Sequence, residues 1–130
     1  MAGSKSDYLE AALLRHVLGG PDYERPGVLY VALYTAAPTD AGGGTEVSAG
    51  GYARASLANV PASWSPAGKN ANAISFPEST ADWGTVVAFG ILDAASGGNL
   101  LYWGDLTTAV EIFADENWQF ATGALVVTED

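Results

Sequence analysis

Cysteine is absent from this 130-residue chain, and charge is scarce. Without cysteine there is no disulfide, no thiolate nucleophile and no cysteine-ligated zinc or iron site. Charged residues make up 15% of the chain, whereas soluble domains usually hold about 25%. Hydrophobic residues make up 48%, which is enough for a sizeable core. A surface this poor in charge is typical of proteins that bury part of it against neighbours.

The second half of the chain lacks positive charge. All five lysine and arginine residues lie at or before Lys69, and nine acidic residues occur from Asn70 onward without a single base. Because nucleic acids and anionic membranes are bound through cationic groups, neither is an expected partner. We expect the acidic half to face solvent or a basic partner instead.

Long apolar runs are also missing. Nothing approaches the roughly 18 apolar residues of a membrane span. Acids and a histidine interrupt the N-terminal apolar stretch, so it does not have the pattern of a secretory signal peptide. These absences predict a protein that is made in the cytoplasm and carries no signal peptide.

One helix is expected, over about residues 7–18. Leu9, Leu13 and Val17 recur every fourth position and lie on one helical face, and a Gly-Gly-Pro sequence follows directly. A helix with so apolar a stripe must pack either on a sheet of its own chain or on a partner.

The remaining sequence has the pattern of short strands separated by turns rich in glycine, proline and asparagine. Seven are expected, near residues 28–35, 52–58, 71–76, 85–93, 99–106, 108–113 and 118–128. The AASGG segment between the fourth and fifth predicts a hairpin loop. The whole pattern predicts a single, mainly β domain over residues 1–130, a β-sandwich or jelly-roll-like fold with one N-terminal α-helix.

No set of catalytic residues emerges. His16 is the only histidine, it lies within the apolar helix, and the chain has no Gly-x-Ser-x-Gly nucleophile motif. Four aspartates at or near turns could pair for sugar hydrolysis, and the acidic loops could bind calcium. Aspartates at turns more often bond to nearby backbone amides. We therefore expect no catalytic residue, no metal and no cofactor.

The helix and the first predicted strand are the expected interface. Leu9, Leu13 and Val17 give the helix its apolar stripe, and Tyr30 and Tyr34 share one face of the strand. Tyrosine is frequent in interfaces, and an isolated domain with these apolar faces would leave patches exposed. We therefore expect a homo-oligomer, with a trimer favoured.

Trp64 is the candidate glycan-binding residue. It lies in a loop rich in proline and serine, where an aromatic ring is more exposed than on a strand, and exposed rings can stack on sugars. Core packing accounts for most other aromatic residues of a small sandwich.

Three segments carry a resemblance to a known family. SDYLEAALLRHVLGG, VLYVALYTAAPTDAGGGTEVSAGGYAR and ISFPESTADWGTVVAFGILDAASGGNLLYWGDLTT, in this order, resemble small tailed-bacteriophage proteins labelled phage tail fibre or minor structural proteins. The likeness runs from Ser6 to about Thr128. It implies a structural virion component without a catalytic residue set, which contacts other capsid or tail proteins. Because the chain is short and without repeats, we expect an accessory or decoration protein, and host-surface glycan binding is the alternative.

Overall fold

The computed structural model describes residues 3–64 and 68–127, which form a mainly β structure with one α-helix, as predicted. The elements are β1 (Gly3–Lys5), α1 (Asp7–Val17), β2 (Val28–Ala36), β3 (Thr45–Glu46), β4 (Ala55–Ala58), β5 (Ile74–Ser75), β6 (Gly84–Leu92), β7 (Leu100–Ile112) and β8 (Gln119–Phe120). The last predicted strand extends to Thr128, which lies outside the described residues.

Two antiparallel sheets form the framework. The larger has the order β1-β7-β6-β2, and the far edge of β2 pairs with β4 along its first half and with β3 near its end. β5 and β8 form a separate two-stranded sheet. The ring of Phe89 on β6 meets the ring of Phe120 on β8 edge-on, with centroids 6.1 Å apart. The main core therefore lies between the two sheets, which gives the sandwich-like layering that the sequence predicts.

One face of β2 carries the alternating apolar side chains that the sequence predicts. Leu29, Val31 and Leu33 point into the core between the sheets, and all three are buried. The opposite face, here called the outer face of the large sheet, carries Tyr30 and Tyr34. These two tyrosines share a face because side chains alternate along a strand.

The outer face is packed closely around Tyr34. A Cβ built at Gly90 would lie 2.8 Å from Cε1 of Tyr34, so only glycine leaves room for the ring. Ala32 and Ala88, two small residues beside it, are fully buried. Tyr34 is only 5% exposed as a result.

The helix begins one residue after Ser6, whose hydroxyl oxygen accepts the backbone N–H of Leu9 at 3.1 Å. Such a side-chain cap satisfies one of the free N–H groups of the first turn. α1 ends at Val17, one residue before the predicted end, and it packs mainly against β7. Leu9 and Ala12 are its buried residues.

The sequence did not predict the two short strands β1 and β3. It predicted two separate strands, 99–106 and 108–113, where the structure has the single strand β7. β7 continues without a break through the segments 99–106 and 108–113. Its register with β6 shifts midway: the two steps from Val86 to Ala88 correspond to five steps from Val110 to Asp105. The four residues 106–109 of β7 therefore lie opposite the single residue Val87 of β6, and the three surplus residues make this segment a bulge.

The last predicted strand is much shorter than expected. Its described part forms a strand only over Gln119–Phe120, in β8, and an isolated antiparallel bridge joins Val126 to Lys69. Gly123 has φ of +77° and lies in a turn, not in a strand bulge. Glycine suits this left-handed conformation, because it adopts a positive φ without strain.

Candidate functional site

A polar cluster joins β3, β4 and the hairpin after β6. The guanidinium of Arg54 donates two hydrogen bonds to the carboxylate of Glu46, from Nε at 2.8 Å and from Nη2 at 2.9 Å. Its remaining terminal nitrogen donates to the carbonyl oxygens of Ala94 and Gly97, at 2.7 and 2.8 Å. Two parallel hydrogen bonds between a guanidinium and a carboxylate hold the two side chains in one orientation, in addition to pairing their charges.

Tyr52 extends this cluster into the large sheet. Its hydroxyl donates to Oε2 of Glu46 at 2.6 Å and accepts the backbone N–H of Leu33 at 3.1 Å. Burial and the hydrogen bond to Glu46 raise the pKa of Tyr52, so its hydroxyl stays protonated. Burial alone would raise the pKa of Glu46, but the hydrogen bonds from Arg54 and Tyr52 outweigh it and lower the pKa below 4.5. The cluster is a structural clamp with no free acid or base.

A second cluster fixes the loop that precedes β3. The carboxylate of Asp40 accepts hydrogen bonds from the indole of Trp103, at 2.9 Å, and from the hydroxyl of Ser4. The backbone carbonyl of Asp40 also accepts the N–H of Asp7, in the first turn of α1. One aspartate thereby links β1, β7 and the start of the helix.

A third cluster centres on Ser79, which is fully buried. Its hydroxyl donates to the carbonyl oxygen of Phe113 at 2.6 Å and accepts the N–H of Glu116 at 3.0 Å. The backbone N–H of Asp115 donates to the carbonyl of Ser79 at 2.6 Å. These bonds hold the turn at 113–116, here called the acidic turn, in one conformation.

An apolar cavity of about 470 Å³ opens beside the helix. Its volume is in the range of ligand pockets. Aliphatic side chains of α1, β2, β6 and β7 form its floor, and aromatic rings and one cation form its wall. The wall residues are Tyr23, Arg25, Trp64 and Tyr102.

A second cavity, of about 450 Å³, is polar and lies between the loop before β3 and the hairpin after β6. Its charged side chains include Asp40, Glu46 and Arg54. All three are already engaged in the clusters described above. The apolar cavity is therefore the better candidate for binding.

The predicted interface residues separate into three groups. Leu9 and Tyr34 are buried by the chain itself, so they offer no free surface to a partner. Leu13 and Tyr30 are half-buried, and Leu13 lines the apolar cavity. Val17 is 74% exposed. The helix therefore packs Leu9 and part of Leu13 against its own sheet. Of the predicted helical interface, Val17 is the residue that a partner could contact in full.

Trp64, the candidate glycan-binding residue, is half-buried and stands in the wall of the apolar cavity. Its neighbours Tyr23 and Arg25 were not singled out, because they lie in a polar segment without strand or helix periodicity. The one feature of the sequence that could have indicated them is the spacing of two positions between an aromatic residue and an arginine.

In residues 3–64 and 68–127, no group of three or more acidic or histidine side chains could hold a metal ion. None of the helices found there is long and apolar enough to span a membrane.

The sequence matches the family described as "Podophage GP4 fiber I protein gp80" over residues 4–128. This match covers nearly the whole chain. The chain belongs to this phage fibre family. No curated protein matches the sequence.

Membership in the fibre family confirms the resemblance to phage tail fibre and minor structural proteins. It identifies the chain as a structural phage component of the virion that associates with other virion proteins. The three polar clusters agree with this role, since each holds a loop or turn in place. Among the described residues, the apolar cavity and the exposed apolar side chains are open for contact.

Proposed function

We propose that this chain is a non-enzymatic structural subunit on the virion surface, an accessory or decoration protein that forms part of a tail fibre. The match to a fibre family over residues 4–128 carries the proposal. The word fibre in the family description favours the tail over the capsid. The polar clusters support a role without catalysis, because their acids and bases are engaged in holding loops.

Purified virions test this function directly. Mass spectrometry of gradient-purified particles is expected to find the protein at a stoichiometry above one copy per particle. Cryo-electron microscopy of particles that carry a labelled chain is expected to show the label at the tail. A label distributed over the head would replace the fibre assignment with capsid decoration, and absence from particles would refute both.

We also propose that the chain works as a homo-oligomer, with a trimer favoured. Exposed apolar side chains support this, since Leu14, Val17, Leu18 and Phe113 each expose about half or more of their surface. Analytical ultracentrifugation is the measurement, and the expected result is a species of three chains. A dimer would keep the oligomer and reject the threefold symmetry.

Recognition of a host glycan is the second candidate function. The observation that favours it is the position of Trp64 in a cavity wall with Tyr23 and Tyr102, because aromatic rings offer faces on which sugars stack. Binding on a glycan array should be lost with Trp64→Ala. It should be kept with Tyr8→Ala, which removes an exposed ring outside this cavity. Equal binding by both variants would exclude the cavity as the glycan site.

A further inference from the structure

We infer that the apolar cavity of one copy receives Phe113 of a second copy, so that subunits join head to tail. The inference rests on the proposed homo-oligomer and names its contact. Three observations carry it: an apolar cavity with a cationic rim, an exposed phenylalanine among acids, and the position of the two at opposite ends of one strand.

The cavity has the chemistry to hold an apolar side chain. Its floor is formed by aliphatic side chains such as Leu13, Leu29 and Leu101. Arg25 stands in its wall, is exposed, and forms no ion pair with the residues that the structure describes. Lys69 follows Gly68, which also lines the cavity, and is likewise exposed, so this residue and Arg25 form what is here called the cationic rim. The occupant should therefore be an apolar group next to negative charge.

Phe113 is such a group. It is 49% exposed although it directly follows β7, and it begins the acidic turn. Glu111 and Asp115 flank it at a spacing of two residues and are both exposed. Neither carboxylate has a hydrogen bond or an ion pair within the described segments. An exposed aromatic side chain in a rigid, acidic turn complements an apolar cavity with a cationic rim.

The turn is held in place before any partner arrives. Ser79 fixes the carbonyl of Phe113 and the N–H of Glu116 by hydrogen bonds. The N–H of Phe113 donates to Oε1 of Glu116 at 3.2 Å. Docking a side chain from such a turn costs little ordering entropy, which favours association.

The cavity and the turn cannot meet within one chain. Leu101 and Tyr102, near the start of β7, line the cavity, and Phe113 lies just past the end of this 13-residue strand. At about 3.3 Å per residue the two sites are on the order of 30 Å apart. A contact between different surfaces of two copies closes into a ring if the rotation allows, and otherwise continues as a filament. Both outcomes suit a fibre protein.

Sedimentation velocity of the full chain tests the contact. Phe113→Ser removes the apolar group, and Arg25→Glu places a carboxylate where the acidic turn should dock. Each is expected to raise the dissociation constant roughly tenfold or more, because an aromatic side chain or a favourable charge pair is lost. Both residues are exposed, so circular dichroism should show an unchanged fold.

Matched controls distinguish this contact from other surfaces. Leu18→Ser removes another exposed apolar side chain, at the residue that follows α1, and Arg15→Glu reverses another exposed cation, in the last turn of α1. Neither residue lines the cavity. Neither is expected to change the dissociation constant. If these controls dissociate the oligomer and Phe113→Ser does not, the helix is the interface and the inference is wrong.

A mixture of the two deficient variants tests the head-to-tail arrangement. The Arg25→Glu variant keeps an intact Phe113, and the Phe113→Ser variant keeps an intact cavity. An equimolar mixture should therefore form dimers of one copy each and grow no further. Oligomers that persist in both variants would refute this contact and leave the proposed homo-oligomer standing. A wild-type chain that stays monomeric at high micromolar concentration would refute both.

Discussion

At the scale of single residues, the pairing of Glu46 with Arg54 sets a pH dependence. The hydrogen bonds from Arg54 and Tyr52 overcome the effect of burial and hold the pKa of Glu46 below its usual value. Since the folded-state pKa is the lower one, the ionised carboxylate stabilises the fold at neutral pH. This contribution is lost as the pH falls through the folded-state pKa, below about 4.5.

The variant Glu46→Gln tests this dependence. Its Tm should be lower than that of the wild type near pH 7, because the charge-assisted hydrogen bonds to Arg54 and Tyr52 are weakened. The difference should shrink steadily below about pH 4.5, as the wild-type carboxyl is protonated. Thermal melts across this pH range give the measurement, with exposed Glu24→Gln as the control. A constant difference from neutral to acidic pH would contradict the assignment.

Ser79 is a second residue whose removal has a defined cost. In Ser79→Ala, the carbonyl of Phe113 and the N–H of Glu116 lose a buried hydrogen-bond partner. We expect a loss of about 1–3 kcal/mol in the free energy of unfolding. Urea denaturation measures it, and faster amide exchange at 113–116 should accompany it. Exposed Ser56→Ala is the control, and an equal loss in both variants would show that the hydroxyl is not what holds the acidic turn.

At the scale of elements, the helix divides its apolar residues between the core and the surface. Leu13 packs against the core and lines the cavity, whereas Leu14 is 61% exposed. Leu13→Ala should lower the free energy of unfolding by about 2 kcal/mol, at the low end for leucine because the side chain is half-buried. Leu14→Ala should change it by no more than about 0.5 kcal/mol. Comparable melts for the two variants would mean that the orientation of α1 is wrong.

The elements that the sequence predicts well are those with long, regular patterns. α1, β2 and β6 follow from apolar spacing, and the hairpin after β6 follows from its glycines, with Asn99 bonded to Asp93 across the loop. β1 and β3 were missed because strands of two or three residues show no periodicity. The position of β1 is set by pairing with β7, which is distant in sequence, and that of β3 by pairing with β2 across the loop at 37–44.

The candidate site was less predictable for the same reason. Trp64 was found because an aromatic residue in a proline-rich loop is conspicuous. Tyr23 and Arg25 reach the cavity only through the path of the chain between α1 and β2, and Tyr102 reaches it from β7. Burial of Leu9 and Tyr34 could not be foreseen either, since it depends on which sheet face the helix and loops cover.

At the scale of the whole molecule, a net charge of −10 acts against association. Two such copies repel one another at long range, and salt screens this repulsion with a Debye length of about 10 Å at 0.1 M. The close contact between Phe113 and the cavity is mainly apolar and is screened far less. Self-association should therefore strengthen as salt rises from about 10 mM to about 150 mM. Sedimentation in a salt series checks this, and steady weakening would mean that ion pairs dominate the contact.

The bulge at 106–109 has a practical consequence for phage display. The register of β7 with β6 is regular next to the bulge on both sides, over residues 84–86 and 88–91 of β6, although the bulge holds three surplus residues. Thr107, Thr108 and Ala109 are exposed. A foreign peptide inserted between Thr107 and Thr108 would lengthen an existing bulge without shifting any paired residue. It would also leave Phe113 and the cavity in place, so a fibre built from such subunits should carry one copy of the guest peptide per subunit.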